Sequence, residues 1–187
     1  MEDIQISKGR LCLNEFIEYM DSFKVYAERD KEVDIIKWAI LCKEHVLLKG
    51  SPGSAKSEMS LKILNGITNA KTFKQQFTAF MDESYVFGPP QIDMLKLGKV
   101  VHNIENSFAD CHFAFLDEFF NANEETIVAT NEGLNERRFT RNSQRVEMPL
   151  ITAIMTTNQS REEEKKLKPI YDRILFVSKV EKVADKR

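Results

Sequence analysis

The chain has 187 residues, of which 42% are hydrophobic and 30% are charged, an ordinary composition for one globular domain. Its 27 Lys and Arg residues nearly balance 29 Asp and Glu residues, so the net charge is −2 and gives no overall basic field to attract nucleic acid. No apolar run approaches the roughly 20 residues that a membrane-spanning helix needs. The composition therefore argues against a membrane protein and against a nucleic-acid-binding domain that relies on overall charge.

The N-terminus and the cysteines indicate a cellular compartment. Met1 to Ile4 lack the basic start and the apolar stretch of a secretory signal. The three cysteines, Cys12, Cys42 and Cys111, have no close pairing of the kind that builds a disulfide framework. We therefore expect reduced thiols and a cytoplasmic protein.

In chain order, apolar spacing predicts two helices before the first strand. Leu11 to Met20 carries apolar residues at roughly helical spacing, and Asp30 to Cys42 repeats this pattern behind a capping aspartate. His45 to Lys49 is a short apolar run that predicts a buried strand, followed by a turn-rich loop. The helix after this loop is expected to end near Asn65.

Strand and helix alternate through the rest of the chain. The further predicted strands are Lys74 to Phe80, Cys111 to Leu116, Leu150 to Met155 and Ile174 to Val180. Predicted helices lie at Gln91 to Lys96 and at Glu124 to Leu134, whereas Val100 to Phe108 is compatible with a strand, a hairpin or a loop. This alternation predicts an α/β fold with a mainly parallel five-stranded sheet and helices on both faces.

Gly50 to Ser57, with the sequence GSPGSAKS, is the strongest functional motif. It fits seven of the eight positions of the phosphate-loop pattern G-x-x-x-x-G-K-[ST]. Backbone N–H groups of such a loop converge on phosphate oxygens, and the positive end of the following helix points at the same anion. Lys56 would add a charge at the β- and γ-phosphates, and the Ser57 hydroxyl would bind Mg²⁺. The alternative is an incidental glycine-rich turn, which the strand–loop–helix context disfavours.

Ala55 is the one departure from the phosphate-loop pattern, because it stands where the last glycine is expected. A methyl group is the smallest possible addition to glycine. We expect the loop to accept it through a negative φ at this residue.

Two acidic residues follow the third predicted strand. Phe113 to Leu116 are apolar, and Asp117 and Glu118 come directly after them. A buried parallel strand delivers such charges to its carboxyl edge, where ligands of α/β sheets bind. Asp117 would hold Mg²⁺, directly or through water, and Glu118 would polarise the water that attacks the γ-phosphate. A solvated acidic turn explains the pair equally well on its own, and the preceding phosphate loop favours the metal site.

Two further polar residues lie close to the last strands. Asn158 closes the fourth predicted strand and could hydrogen-bond the attacking water or the γ-phosphate, although asparagine is also a routine turn residue. Arg173 precedes the last strand and either pairs locally with Asp172 or reaches the γ-phosphate of a neighbouring subunit. The residues alone leave both alternatives for Arg173 open.

Taken together, the motifs resemble those of the AAA+ ATPases, and among them the MoxR/RavA group. The resemblance extends from about residue 24 to about residue 180. The matching stretches are Tyr26 to Arg29, the phosphate loop with alanine before its lysine, Val86 to Pro89, Phe115 to Phe119, Leu134 to Phe139, Thr157-Asn158 and Tyr171 to Arg173. The resemblance implies the three-layer αβα sandwich of a P-loop NTPase.

The resemblance also implies a role for each matching residue. Lys56, Glu118, Asn158 and Arg173 would be catalytic, with Asn158 as sensor 1 and Arg173 as the arginine finger. Ser57 of Walker A and Asp117 of Walker B would hold Mg²⁺. The nucleotide-binding residues would be Gly50, Ser51, Pro52, Gly53, Ser54, Ala55, Lys56, Ser57 and Glu58.

The family context implies partners and additional elements. A ring of subunits, such as a hexamer, would use ATP hydrolysis with Mg²⁺ to remodel a protein client. The family's clients include von Willebrand A-domain proteins. An insertion would map to Lys99 to Asp110 and a hairpin to Arg137 to Val146, where Arg137 and Arg138 are either functional or plain surface charges. We expect two parts, an N-terminal helical extension (1–23) and an AAA+ core (24–187). Because the sequence stops at Arg187, we expect this core to lack the family's helical lid.

Three other functions are weighed against an ATPase. Without a lid, the domain could be a nucleotide-binding scaffold with little or no turnover. A GTPase is disfavoured because Asn158 begins no N-K-x-D guanine-reading motif. A DNA-working AAA+ protein is disfavoured by the charge balance.

Overall fold

The computed structural model describes residues 2–25, 29–141, 144–158 and 174–181. Several predictions lie outside these residues. They concern Tyr26 to Glu28 of the first family motif and the candidate arginine finger Arg173 with its neighbours Tyr171 and Asp172.

The described residues form helices and strands in nearly the predicted order. The α-helices are α1 (Glu2–Asp21), α2 (Asp30–Cys42), α3 (Lys56–Asn65), α4 (Glu83–Phe87), α5 (Ile92–Lys96) and α6 (Glu124–Glu136). The strands are β1 (Val46–Lys49), β2 (Thr72–Gln76), β3 (Phe113–Asp117), β4 (Arg138–Arg141), β5 (Gln144–Glu147), β6 (Thr152–Thr157) and β7 (Phe176–Lys179). Short 3₁₀ helices cover Ser22–Val25, Phe108–Asp110 and Phe119–Asn121.

Five of the strands form one parallel sheet, as predicted. Their order is β2-β3-β6-β1-β7, and each neighbouring pair is parallel. All six residues of the central strand β6 are buried, which suits a strand covered by helices on both faces. Because the strands run in one direction, their carboxyl ends meet at a single edge of the sheet.

Two hydrophobic clusters, one on each face of the sheet, give the predicted αβα sandwich. Strand alternation divides β3 between them: Phe113 and Phe115 face one cluster, and Ala114 and Leu116 face the other. The first cluster takes residues from α1, α2 and α3, and the second takes residues from α4 and α6. Each large apolar side chain buried in this way stabilises the fold by roughly 1.5–3 kcal/mol.

Strand β2 is shorter than predicted and begins earlier. The sequence predicts a strand from Lys74 to Phe80, but the Phe77 N–H makes the last ladder-like bond, to the Asp117 carbonyl at 2.8 Å. The chain then turns, which leaves Phe80 96% exposed. The side chain of Asp82 accepts a hydrogen bond from the Ser84 N–H and caps α4, a helix that the sequence analysis missed.

Helix α6 continues past its predicted end. Its N-terminus is capped by Asn123, whose side chain accepts a hydrogen bond from the Thr126 N–H. Gly133 lies inside the helix, three residues before its end at Glu136. A Cβ at this position would lie 3.0 Å from Phe108 and 3.1 Å from Met148, so the glycine serves close packing and is not a cap.

The predicted hairpin is present as the antiparallel pair β4–β5, in which Arg138 lies opposite Glu147. Arg138 also forms an ion pair with Glu147 at 3.0 Å. Arg137 donates hydrogen bonds to the carbonyls of Leu150 and Lys43, so both arginines have structural contacts. The segment Val100 to Phe108, whose sequence is compatible with a strand, a hairpin or a loop, contains an isolated bridge at His102 and leads into a 3₁₀ helix.

The C-terminal part of α1 packs onto the core. Met20 is completely buried, and the Tyr19 hydroxyl donates a hydrogen bond to the Ile63 carbonyl of α3 at 2.6 Å. Among the described helices, α1 included, none combines the length and apolar character required to cross a bilayer.

Candidate functional site

The phosphate-loop motif connects β1 to α3 at the carboxyl edge of the sheet. The Gly50 N–H donates a hydrogen bond to the Thr157 carbonyl at 3.0 Å, and the Val180 N–H donates one to the Lys49 carbonyl at 2.6 Å. A Cβ on Gly50 would lie 2.3 Å from the Val180 carbonyl oxygen. Glycine is therefore required at Gly50 because the backbone of Val180 leaves no room for a Cβ.

Ala55 does not have the negative φ that the sequence analysis expected. It lies in the left-handed region at φ 58° and ψ 13°, and it forms the N-cap of α3. Its carbonyl accepts the first helical hydrogen bond, from the Met59 N–H at 3.1 Å. The loop thus needs the backbone conformation that glycine supplies freely, and an alanine adopts it with strain.

Lys56 is buried, and its ammonium group turns back onto the loop. Its Nζ donates hydrogen bonds to the carbonyls of Gly50 at 2.6 Å and Ser51 at 3.0 Å, and to the Ser54 hydroxyl at 3.1 Å. Burial lowers the pKa of Lys56, while the nearby Glu118 and Asp117 raise it. All three ammonium protons have partners inside the loop, so a bound anion would have to replace at least one of them.

A cavity of about 310 Å³ opens between the loop and the sheet edge. Its volume falls at the lower end of the range for small-molecule sites. The lining residues come from the loop, the first turn of α3 and the ends of β2 and β3: Pro52, Gly53, Ser54, Ala55, Lys56, Ser57, Glu58, Gln76, Asp117 and Glu118. Gly50 and Ser51, which the sequence analysis included among the nucleotide-binding residues, contact Lys56 from behind through their carbonyls.

Asp117 connects the sheet to the phosphate loop. The Ser57 hydroxyl lies 3.2 and 3.3 Å from its two carboxylate oxygens, and the Thr156 hydroxyl donates to Oδ1 at 2.5 Å. The two residues predicted to hold Mg²⁺ are therefore in direct contact. Thr156 belongs to β6 and is completely buried.

Glu118 follows Asp117 in a left-handed conformation with φ 51°. Its N–H donates to the Thr156 hydroxyl at 3.0 Å, and its Oε2 accepts a hydrogen bond from the Asn158 N–H at 3.2 Å. Burial raises the pKa of Glu118, with a further contribution from Asp117, while the Asn158 N–H and Lys56 lower it. Asn158 thus contacts Glu118 through the Asn158 backbone N–H, and the Asn158 side chain is exposed.

A row of polar side chains at the end of the sheet was missed by the sequence analysis. Gln76 pairs with Asp117 in the β2–β3 register, and Thr156 lies on the strand at the other side of Asp117. Alternation places these three side chains on the same face of the sheet, above α3. The sequence signal for Gln76 and Thr156 is only that each is polar near the end of a strand, and strand order is needed to bring them together.

The residues at this site suit a magnesium–phosphate group. Mg²⁺ prefers oxygen ligands and is usually held by one or two protein groups together with phosphate oxygens and water. Ser57 and Asp117 supply such oxygens at the wall of the cavity. Within the described ranges, no group of three His, Cys, Asp or Glu side chains comes together to form an all-protein metal cage.

Comparison with protein families identifies this architecture. The bpMoxR family, described as the MoxR domain in the MoxR-vWA-beta-propeller ternary systems, matches residues 12–187. The chain belongs to this MoxR family. The resemblance to MoxR-type AAA+ proteins predicted from the sequence is thereby confirmed.

Related sequences of this MoxR domain are found in an archaeon. Two uncharacterised proteins of Methanocaldococcus jannaschii are 36% identical over 166 residues and 34% identical over 165 residues, and each alignment covers 88% of this chain. The alignments cover 43% and 42% of those proteins. The chain therefore spans less than half the length of these curated relatives.

Solved structures share the fold of the MoxR domain. A candidate ATPase from Cytophaga hutchinsonii superposes with a TM-score of 0.71 at 20% identity, covering 100% of this chain and 56% of that one. NtrX from Brucella abortus in complex with ADP superposes with a TM-score of 0.60 at 16% identity, covering 96% of this chain and 42% of NtrX. NtrX in complex with ATP gives 0.59 at 16% identity, over 87% of this chain and 35% of NtrX.

Proposed function

We propose that this MoxR domain binds ATP with Mg²⁺ and hydrolyses it. The observation that carries the proposal is that one cavity is bounded by the phosphate loop on one side and by Asp117 and Glu118 on the other. The fold neighbour NtrX has been crystallised with ADP and with ATP, which supports a nucleotide as the ligand. The family membership supports the same ligand class.

The loop side of the cavity would bind the phosphates. Loop N–H groups and the N-terminus of α3 would bind the phosphate oxygens, and Lys56 would move from the loop carbonyls to the β- and γ-phosphates. Ser57 and Asp117 would hold Mg²⁺, which neutralises phosphate charge when bound. Glu58 lines the cavity but pairs with Lys62 at 2.7 Å on the helix surface, so we assign it a peripheral part in binding.

Glu118 would act on the attacking water. Burial raises the pKa of its carboxyl group, which makes it a better proton acceptor than an exposed glutamate when ionised. Its hydrogen bond from the Asn158 N–H fixes one carboxylate oxygen at 3.2 Å. Asn158, as sensor 1, would hydrogen-bond the γ-phosphate with its exposed side-chain amide.

The assembly and partners of the domain are part of the proposal. Arg173 would reach the γ-phosphate of a neighbouring subunit in a ring, such as a hexamer, where its planar charge stabilises the transition state. The description of the matching family names MoxR domains of ternary systems that also contain vWA and beta-propeller components, which supports a vWA partner. Turnover would accordingly drive remodelling of a cytoplasmic protein client, with a vWA protein as the first candidate.

Two matched variants test nucleotide binding. Lys56→Ala is expected to abolish binding of a fluorescent ATP analogue, since it removes the buried ammonium group of the loop. Lys62→Ala is the control, because Lys62 lies on the same helix and its side chain is 55% exposed. Equal binding by both variants would contradict the assignment of the phosphate loop.

Glu118→Gln tests hydrolysis separately. It is expected to keep nucleotide affinity within about threefold and to lower phosphate release by at least about 100-fold, in line with the 10²–10⁴-fold contribution of general bases. Normal turnover by this variant would remove Glu118 from the mechanism. Binding by the wild-type domain without any phosphate release, at all protein concentrations, would identify a nucleotide-binding scaffold instead of an ATPase.

A further inference from the structure

We propose that Thr156 is a positioning residue of the nucleotide site, whose hydroxyl fixes Asp117 and Glu118 relative to each other. The proposal rests on the proposed function, because it assigns Thr156 a part in the Mg²⁺ site. None of the sequence motifs assigns a role to this residue. It acts through its two acidic neighbours and touches no reacting atom itself.

The hydrogen bonds of Thr156 have only one consistent direction. The Glu118 N–H can only donate, so Thr156 Oγ1 accepts from it at 3.0 Å. An ionised carboxylate can only accept, so the single hydroxyl proton points to Asp117 Oδ1 at 2.5 Å. One side chain therefore links the carboxylate of the first acid to the backbone of the second.

The position of Thr156 in the sheet explains why a hydroxyl is needed there. Paired residues of β3 and β6 end at Leu116 and Met155, one step before the acids. Glu118 turns into a left-handed conformation, and its N–H is bonded to the side chain of Thr156. The hydroxyl thus extends the pairing of the two strands by one residue, at the point where the chain leaves the sheet.

Thr156 and Ser57 hold Asp117 differently. Ser57 shares its hydroxyl between both carboxylate oxygens at 3.2 and 3.3 Å, whereas Thr156 makes one short bond to Oδ1. Ser57 is half-buried beside the cavity, and Thr156 is completely buried. The Ser57 contact can therefore be replaced by a cation that both residues bind, while the Thr156 bond keeps the carboxylate in place.

Three variants of β6 separate this role from simple packing. Thr156→Val removes the hydroxyl at nearly constant volume, and Thr156→Ser keeps the hydroxyl. Thr152→Val is the matched control, because Thr152 lies on the same strand and face, is completely buried, and donates its hydroxyl proton to the Ala39 carbonyl away from the cavity.

The primary measurement is the affinity for fluorescent ADP with Mg²⁺ and with EDTA. In EDTA all variants are expected to match the wild type within about twofold, since the phosphate loop is intact. The gain in affinity on adding Mg²⁺ is expected to fall by about tenfold in Thr156→Val, the lower end of the effect of removing a partner of a metal ligand. Thr156→Ser and Thr152→Val are expected to keep the gain.

A second measurement follows the Glu118 amide directly. Its hydrogen exchange is expected to be slow in the wild type and in Thr156→Ser, and at least about tenfold faster in Thr156→Val and Thr156→Ala. The alanine variant provides the same test if the valine variant does not fold. An unchanged Mg²⁺ gain or an unchanged Glu118 exchange rate in a folded variant without the hydroxyl would overturn the role of Thr156. Failure of the wild type to gain affinity from Mg²⁺ would instead overturn the proposed magnesium site.

Discussion

Ala55 is the residue of the phosphate loop whose backbone conformation is least favourable for its side chain. An L side chain in the left-handed region costs roughly 1–2 kcal/mol relative to the right-handed region, and Ala55 lies there at φ 58°. Gly53, two residues earlier, has φ 78° and bears no such cost. The loop geometry is therefore maintained by its contacts, above all those of Lys56, and not by the local preference of Ala55.

Substitution of Ala55 should change stability in a predictable order. Ala55→Gly is expected to raise the free energy of unfolding by up to about 1 kcal/mol, because relief of strain exceeds the added entropy of the unfolded chain. Ala55→Val is expected to lower it by about 1–3 kcal/mol, because a β-branched residue is poorly accommodated at positive φ. Urea unfolding measures both values, and equal stability of the valine and glycine variants would contradict the strain.

At the scale of elements, His45 links the start of β1 to two other elements. Its Nδ1 accepts a hydrogen bond from the Ala153 N–H of β6 at 3.0 Å, so the ring proton lies on Nε2 and is donated to the Leu134 carbonyl of α6 at 2.8 Å. Burial lowers the pKa of His45 to about 4, and the charge of Arg137 adds to this effect. The neutral imidazole is therefore part of the folded structure.

The buried histidine should make the fold sensitive to acid. A histidine whose pKa is lower in the folded state contributes stability above its unfolded pKa of 6.5, and this contribution is lost as the pH falls toward 4. From these two values, the loss between pH 7 and pH 5 amounts to about 2 kcal/mol.

Urea unfolding at pH 7 and pH 5 tests this coupling. The change in unfolding free energy between the two pH values is expected to be smaller by about 2 kcal/mol in His45→Gln than in the wild type. Thr152→Val is the control: it removes a buried hydroxyl from the same strand pair but no titratable group, so it should shift both values equally. The same pH dependence in His45→Gln and wild type would rule out His45 as the cause.

At the scale of the whole molecule, the residues that line the cavity all come from one copy of the chain, from the loop, α3 and the ends of β2 and β3. The proposed arginine finger would come from another copy. In that arrangement, the ATPase rate per subunit should rise with protein concentration, because each active site is completed by its neighbour. A constant rate per subunit over a hundredfold range of concentration would contradict a shared site.

Arg173→Ala separates the contribution of the arginine finger to turnover from nucleotide binding in the same assay. It is expected to keep nucleotide affinity and to lower turnover by about 10³-fold or more, the usual effect of losing an arginine finger. Lys56→Ala gives the background rate. Full turnover by the arginine variant would mean that Arg173 acts only as a local ion pair, the other alternative that its sequence context leaves open.

Local sequence patterns determined much of this protein. The position of the loop between β1 and α3, the bounds of α2 and the apolar run of β3 were predicted closely, because each depends on neighbouring residues of one segment. The predicted α/β class, with helices on both faces of the sheet, followed from the alternation of such segments. Lys56, Ser57, Asp117 and Glu118 could be proposed as site residues without coordinates for the same reason.

The tertiary structure alone decided how these segments meet. Strand order places β6 beside β3, and this brings Thr156 within hydrogen-bonding distance of Asp117, 39 residues away in the chain. It also decided the left-handed conformation of Ala55 and the end of β2 before Phe77, both of which differ from the sequence predictions. A local pattern fixes which face of a strand is apolar, but the pairing of distant strands depends on packing across the whole sheet, which periodicity in one segment does not encode.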